Sequence, residues 1–553
     1  MTTAEQRERW MNCQAMTEEL MGQLQSMNAE TADDCFYRDL TFGTGGLRGV
    51  LGAGTNRMNV FTVMKATRGL GRYLLETFPE PSCAVSYDSR IHSLDFAQLT
   101  AAVLADMGIR VYLYRQLEPT PMLSYAVRSL NTSAGVMITA SHNPARFNGY
   151  KVYGPDGCQI TLEAANKIQS LIQAEPDLAD NLPDFPAALR SGLVEYIPEE
   201  TIESYYRDVM ALSVVPASFP LHVVYTPLNG AGNVPVREIM RRLGNIRVDI
   251  VEEQEQPDGH FPTCPYPNPE IREAMELAIR KTIDVGADLC FATDPDSDRM
   301  GAGVRVGNDV TLITGNEMGV LMLDYLCRHK KPGSLPFVAV KTIVTTEMAA
   351  AICRKYGVEL RNVLTGFKFI GEQIGLLEKA GQADRFLFGF EESYGYLSGT
   401  IVRDKDAVNA ALLLCEMASH LKEEGKTLLD RLRELREEFG YYAQRLLTFE
   451  YEGERGAEQM AAIMAFFRKP QEEFKDPRLS NAERLDYHAG VGDLPRSDVI
   501  EFRLSDKEKF IVRPSGTEPK LKAYLFSTAD SQPQAEKNLD TLESFVTALC
   551  RPS

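Results

Sequence analysis

No run of 18 or more consecutive apolar residues occurs in the 553-residue chain, which excludes a membrane-spanning helix. The opening residues, Met1 to Trp10, are polar and charged and lack the apolar stretch of a secretory signal. The ten cysteines form no C-x-x-C pair. They read as reduced thiols serving as small apolar residues in a cytoplasmic protein, not as a disulfide framework. Positive charge is also short, with 59 Lys+Arg against 77 Asp+Glu and a net charge of −18. A surface of that sign repels phosphate backbones and anionic lipid, so nucleic acid and membranes are not expected partners. A small anion held in a local basic pocket remains compatible with it. The seven histidines show no metal-ligand spacing, and there is no H-E-x-x-H. Low-complexity tracts and short repeats are missing as well. What is present is an ordinary globular composition, 44% hydrophobic and 25% charged, over a length that suits about three to five domains.

Short β-branched or apolar runs alternate with helical patterns over most of the chain. The first set predicts strands at Ser82 to Tyr87, Arg110 to Tyr114 and Ala134 to Thr139, with helices at Leu94 to Met107 and Met122 to Ser129. That β-α-β-α-β order points to a largely parallel sheet. A second set opens at Leu221 to Tyr225, with strands near Val248 to Val251 and Asp288 to Ala292. A third has a helix at Glu317 to Cys327 and strands at Pro336 to Val340, Asn362 to Thr365 and Arg385 to Gly389. The C-terminal part, with strands at Leu447 to Glu452, Val499 to Leu504 and Lys509 to Val512, reads as a smaller α+β domain. The expected fold class is therefore α/β: three related mixed α/β domains (1–212, 213–315 and 316–440) plus a C-terminal α+β domain (441–553), with the active site in the central cleft.

Four polar segments each begin at the predicted end of a strand or turn, where ligands bind in open α/β sheets. Thr139-Ala140-Ser141-His142-Asn143-Pro144 puts a serine on a tight loop, expected to be exposed, without the flanking glycines of a hydrolase elbow. Asp294-Pro295-Asp296-Ser297-Asp298-Arg299 places three carboxylates at alternate positions. In extended backbone they would point to one side and present hard oxygen ligands suited to Mg²⁺. An EF-hand is excluded, because Arg299 and Arg305 stand where glycine and glutamate are required. Gly389-Phe390-Glu391-Glu392-Ser393-Tyr394-Gly395-Tyr396 sets acceptors and hydroxyls beside aromatics, as a sugar pocket does. Arg513-Pro514-Ser515-Gly516-Thr517-Glu518-Pro519-Lys520 suits a phosphate cradle. Taken singly, the first, third and fourth also read as ordinary turns and the second as a solvated acidic turn. Gly43 to Gly49 is no dinucleotide fingerprint, since Arg48 replaces the third glycine. Gly425-Lys426-Thr427 is no phosphate loop, since His420 replaces its first glycine, and Gly425 reads instead as a helix C-cap.

Taken together and in order, Ser-His-Asn-Pro, Asp-x-Asp-x-Asp-Arg, Glu-x-Ser and Arg-Pro-Ser-Gly-Thr-Glu-Pro resemble the motifs of the α-D-phosphohexomutases. The opening Thr-Gly-Gly-Leu-Arg-Gly, Phe-Glu-Glu-Ser-Tyr-Gly-Tyr and Thr365-Gly366-Phe367-Lys368 look like the bacterial phosphoglucomutase branch, close to the phosphopentomutases. Asn229, in Thr226-Pro227-Leu228-Asn229-Gly230, departs from the histidine that relatives often carry. The resemblance implies a phosphoglucomutase reaction between glucose 1-phosphate and glucose 6-phosphate through a phosphoserine and a glucose 1,6-bisphosphate intermediate. It implies Ser141 as phosphoryl carrier, Asp294, Asp296 and Asp298 with Ser141 as Mg²⁺ ligands, and Arg299 as a further cation by the phosphate. Glu391 and Ser393 correspond to sugar-binding residues, flanked by Thr365 and Gly366. Arg513, Ser515, Gly516 and Thr517 correspond to the grip on the non-reacting phosphate. Arg48 and Lys151 fall among the active-site cations, and His142 or Lys368 would carry the hydroxyl proton, a lysine among cations having a lowered pKa. Phosphopentomutase and phosphomannomutase are the alternatives within the class. A non-catalytic sugar-phosphate-binding relative, or a phosphatase, lies outside it. A monomer or homodimer is expected.

Overall fold

The computed structural model describes residues 2–43, 45–451, 453–514 and 520–550. Three mixed sheets share one plan, with a parallel centre and an antiparallel edge. The first runs in the order Gly46–Val50, Phe147–Tyr153, Ala134–Ile138, Ser82–Tyr87, Arg110–Leu113, Val194–Tyr196. Its last four strands are parallel and its first two antiparallel. The second runs Asp309–Ile313, Met300–Val306, Leu289–Thr293, Leu221–Thr226, Ile246–Ile250, again with three parallel strands and an antiparallel edge. The third, Glu359–Val363, Val338–Thr342, Phe386–Glu391, Gly395–Ser398, repeats the pattern with one edge strand. Strands such as Ala134–Ile138 and Leu289–Thr293 are buried along their whole length, which is why they read as continuous apolar runs rather than alternating ones.

The helix Ala407–Glu423 is apolar on nearly every side and buried from Ala407 to Ser419, as a helix at the centre of a large core must be. It belongs to the apolar cluster that joins the three sheets through Tyr153, Tyr225, Val340 and Leu412. It stops at Gly425 (φ 73°), where the Lys426 amide donates to the Leu421 carbonyl at 2.8 Å. This is the left-handed cap expected of that glycine. The fourth sheet is wholly antiparallel, in the order Tyr441–Glu450, Lys520–Ala529, Glu508–Pro514, Ile500–Ser505, Glu483–Asp486, and carries a core of its own. Its bond to the third sheet is a separate, smaller apolar cluster: Ile343, Val344 and Leu364 against Tyr487, Val499, Ile511, Tyr524 and Phe526.

Besides shifted strand bounds, such as Tyr441–Glu450 for the strand expected at Leu447 to Glu452, and unexpected edge strands such as Phe147–Tyr153, three differences from the sequence reading stand out. The strand expected at Asn362 to Thr365 lies at Glu359–Val363, because Thr365 and Gly366 turn the chain into the helix Phe367–Lys379. The ten-residue strand Lys520–Ala529, paired on both sides, was not anticipated, since its lysines at 520 and 522 mask the apolar pattern that starts at Leu521. Asp294 to Arg299 is a tight turn rather than extended backbone: the Ser297 amide donates to the Asp294 carbonyl at 2.8 Å, with Ser297 at φ 50°. All ten cysteines are free and eight are buried. Among the described residues no helix is long and apolar enough to cross a membrane.

Candidate active site

The three sheets and the fourth domain surround a cleft of about 1290 Å³, whose walls include Arg48, His142, Lys151, Arg299, Thr365, Gly366, Glu391, Ser393, Lys405 and Arg513. Ser141 follows the strand Ala134–Ile138, and its backbone is left-handed (φ 52°). It is not exposed, as the sequence reading expected, but only 3% accessible. The loop is held from beneath. The Ser141 amide donates to Thr139 Oγ1 at 2.8 Å, and that hydroxyl donates to Asp88 Oδ2 at 2.6 Å. The buried Arg90 guanidinium donates to the carbonyls of Ser141, Asn143, Pro144 and Phe147 and lies 3.4 Å from Asp88. Four carbonyls turned onto one guanidinium make a loop that cannot relax, and that is how a non-glycine residue is kept in left-handed backbone.

The Ser141 hydroxyl donates to Asp294 Oδ2 at 2.8 Å and lies 3.1 Å from His142 Nδ1. Asp294, Asp296 and Asp298 are buried, and one oxygen of each lies within 4.8 Å of the others. The turn brings them together: the amides of Asp298 and Arg299 both donate to Asp294 Oδ1, at 3.1 and 2.9 Å. Burial, and then the charges of Asp296 and Asp298, push the Asp294 carboxyl well above the usual carboxylate range. Three dry carboxylates at this spacing do not all stay ionised without a cation. Asp296 Oδ1 and Asp298 Oδ1 are buried and accept no hydrogen bond from the described residues. An all-oxygen donor set with unsatisfied buried lone pairs fits a hard divalent cation.

Around the triad stand cations. Lys151 Nζ lies 2.8 Å from Asp296 Oδ2 and 3.5 Å from Asp298 Oδ2. Burial lowers an ammonium, but these two charges win and raise Lys151. Lys405 Nζ lies 3.1 Å from Asp298 and 3.0 Å from Asp404. Arg299 is turned by Glu270, at 2.6 Å. Arg48 donates to Asn143 Oδ1 at 3.3 Å. Burial, with Arg299 and Arg48 adding to it, keeps the His142 imidazole neutral, far below its ordinary range. Lys368 takes another position: its ammonium sits over the Phe369 ring, 5.4 Å from the centroid, and it is not among the residues that line the cleft. Its pKa is lowered by burial, not by neighbouring cations as the sequence reading supposed.

On the far wall, Glu391 ends the strand Phe386–Glu391 and accepts the Gly366 amide at 2.9 Å. Its neighbour Glu392 turns away to the hydroxyls of Thr345 and Thr342, at 3.2 and 3.4 Å. Arg513 reaches across from the fourth domain and donates to Thr365 Oγ1. Ser515, Gly516 and Thr517 lie outside the described residues. Asn229, left-handed at φ 56°, donates to the Gln256 carbonyl at 2.8 Å and so shapes the loop that carries Glu270.

Sequence reasoning missed Arg90, Thr120, Lys405 and Glu270. Lys405 had a signal, since Arg403-Asp404-Lys405-Asp406 sets four charges between an apolar strand and an apolar helix, where only mutual pairing permits burial. Thr120 starts a helix between Pro119 and Pro121 and Glu270 sits in a Pro-containing turn, and nothing local marks either.

The chain matches three family models in succession: phosphoglucomutase/phosphomannomutase, alpha/beta/alpha domain I over residues 39–178, domain II over 203–307 and domain III over 314–439. It is 38% identical to a phosphoglucomutase of Staphylococcus aureus (strain MRSA252), with 89% of this chain and 90% of that one covered. To a phosphoglucomutase of Staphylococcus haemolyticus (strain JCSC1435) it is 37% identical, over 91% and 93%. The fold is similar to the open form of pp63/parafusin from Paramecium, with a TM-score of 0.70, 18% identity, and 93% of this chain and 96% of that one covered.

Proposed function

The chain belongs to the phosphoglucomutase/phosphomannomutase family, and on that premise we propose a reaction route for its phosphoglucomutase activity and a role for each site residue. The observation that carries the proposal is the Ser141 hydroxyl, 2.8 Å from a carboxylate of a buried three-aspartate cluster. The substrate is a sugar phosphate, glucose 1-phosphate or glucose 6-phosphate. In the active enzyme Ser141 Oγ carries a phosphoryl group. The free sugar hydroxyl attacks its phosphorus, the Oγ–P bond breaks, and the hydroxyl proton passes to a base. The bisphosphate turns over in the cleft, Ser141 Oγ takes the other phosphoryl group, and the proton returns to the product hydroxyl. Glucose 1,6-bisphosphate therefore serves as intermediate and as activator.

Asp294, Asp296 and Asp298 with Ser141 would hold Mg²⁺, which when bound neutralises charge on the moving phosphoryl group. Arg299 and Arg48 line the path of that group, and Glu391 and Ser393 face the sugar. Arg513, with Ser515, Gly516 and Thr517, would take the phosphate that does not react. Position favours His142 as proton carrier, because it lines the cleft 3.1 Å from the Ser141 hydroxyl. Enclosure by four domains supports transfer to sugar rather than to water. The cytoplasm and a monomer or homodimer complete the proposal. A coupled assay with glucose, mannose, ribose and deoxyribose 1-phosphates, with and without glucose 1,6-bisphosphate, tests it. Turnover of glucose 1-phosphate that rises with the bisphosphate is expected. A preference for mannose or a pentose would reassign the substrate, and release of inorganic phosphate without isomer would overturn the mutase route.

A further inference from the structure

Each aspartate of the triad divides its two oxygens between protein and site. Asp294 Oδ1 is taken by two backbone amides, and Oδ2 faces the Ser141 hydroxyl. Asp296 Oδ2 accepts from Thr120 Oγ1 and from Lys151 Nζ, both at 2.8 Å, while its Oδ1 is buried and accepts no hydrogen bond from the described residues. Asp298 Oδ2 lies against Lys405 and Lys151, and its buried Oδ1, 3.9 Å from Arg299 Nε, likewise accepts no hydrogen bond among the described residues. An oxygen that already serves two fixed donors has little lone pair left for a cation. Each side chain therefore has one oxygen to offer.

Thr120 differs from the other donors in kind. It is neutral, fully buried, and absent from the cleft wall. It opens the helix Thr120–Ser129 of the first domain, and its amide, one of the orphan donors of a helix start, donates to the Asp296 carbonyl at 2.9 Å. Main chain and side chain of one threonine thus hold main chain and side chain of one aspartate, across 176 residues of sequence. An ammonium on a flexible stem attracts an oxygen from many angles. A hydroxyl on a helix, with a second bond beside it, fixes the rotation of the carboxylate.

We propose that Thr120 is a positioning residue that holds Asp296 as a one-oxygen ligand and thereby makes the triad prefer a small octahedral cation such as Mg²⁺ over Ca²⁺. Calcium accepts carboxylates through both oxygens and takes six to eight ligands, whereas magnesium demands near-ideal octahedral geometry at short distance. This inference rests on the reading that the triad holds a divalent cation, and the experiment separates the two. Binding of Mn²⁺, as a paramagnetic probe, is measured by electron paramagnetic resonance on the full-length protein, for wild type, Thr120→Val and Thr120→Ser. Displacement of Mn²⁺ by Mg²⁺ and by Ca²⁺ follows, and thermal unfolding shows that each variant is folded. Loss of an outer partner of a metal ligand costs 10- to 100-fold in affinity, so Thr120→Val should weaken Mn²⁺ by about that factor. The Mg²⁺-over-Ca²⁺ ratio should fall by about tenfold, and Thr120→Ser should keep both within about threefold of wild type. If Thr120→Val does not fold, Thr120→Ala takes its place with the same expectation. Wild-type affinity and ratio in the folded variant, or equal losses for both ions, would overturn the proposal. No Mn²⁺ binding by wild type would instead overturn the metal reading on which it stands.

Discussion

The two ends of the cleft are built differently. At the serine and the triad the main chain is tied down by fixed partners, while Asp296 Oδ1 and Asp298 Oδ1 are left buried without a hydrogen bond among the described residues. Arg90 binds four carbonyls of the Ser141 loop, and the turn amides hold Asp294. At the other end Arg513 comes from a domain with a separate core, attached by one modest apolar cluster and by side-chain bonds such as Asn316 to Gln444 at 2.6 Å and Lys509 to Glu347 at 2.8 Å. Bond making and breaking needs donors placed before the reaction starts, because reorganising them during it raises the barrier. A grip on the non-reacting phosphate must instead release the intermediate, take it back reversed, and open for product. On the proposed roles, the tightly held end would carry the chemistry and the attached end the exchange.

The largest effect should come from the rigid end. Ser141→Ala removes the carrier while the Arg90 and Thr139 supports remain, so the protein should fold and turnover should drop by about three orders of magnitude or more. Near-wild-type turnover in a coupled assay would mean that the phosphoryl group rides elsewhere. Next, Asp296→Asn should lower turnover by roughly a hundredfold or more and resist rescue by ordinary Mg²⁺, and exhaustive chelation of wild type should abolish activity until Mg²⁺ is returned. Activity that survives chelation would break the comparison, because the best-ordered part of the cleft would then have no chemical task.

The attached end should respond in another way. Arg513→Ala should raise KM about tenfold and also lower kcat, since a misplaced substrate is a poor in-line nucleophile. A change in KM alone would make the fourth domain a simple binding wall. Domain motion should show as ligand-dependent hydrogen exchange near Gly440 and at the Ile343–Tyr524 cluster. Protection unchanged by sugar phosphate would place both ends in one rigid body.

This contrast also explains what the sequence could and could not disclose. The strand Ala134–Ile138 was legible almost to the residue, because burial along its whole length leaves unbroken apolar letters between polar boundaries. Ser141 and the three aspartates were legible because a loop at a strand end repeats its chemistry within a few positions, and the order of motifs matched a family. The supports were not. Arg90, Thr120, Lys405 and Glu270 act on residues 29 to 176 positions away in the pairs Arg299–Glu270 and Thr120–Asp296. Each is one polar letter in a loop or at a helix start, and only the packing of separate sheets reveals its partner. Even the turn at Asp294 to Arg299 was misread as extended, although the purpose inferred for its carboxylates fits the folded site.

The smallest expected effect sharpens the comparison from within the tightly held end, where one buried carboxyl has no cation beside it among the described residues. Glu118 stands two residues before Thr120. Among the described residues its buried Oε2 accepts no hydrogen bond, and the groups that interact with its charge are Tyr87, Tyr114, Tyr206 and Glu199. Burial, and secondarily the Glu199 charge, push its carboxyl up to about 8. The sign follows from linkage. A carboxyl with a higher pKa folded than unfolded binds its proton more tightly in the native state, so its contribution is complete below the unfolded value of 4.5 and is lost as pH climbs through 8. Glu118→Gln keeps the shape and removes the ionisation. Wild type should therefore lose stability relative to this variant between about pH 5 and pH 8, by roughly 2 to 4 kcal/mol in denaturant unfolding, with mutase turnover at pH 7 changed less than about threefold. Parallel stability curves for the two proteins would show that Glu118 has a partner or a path to water. A loss of Mn²⁺ affinity in Glu118→Gln would extend the metal support one turn further back, from Thr120 to the segment that precedes its helix.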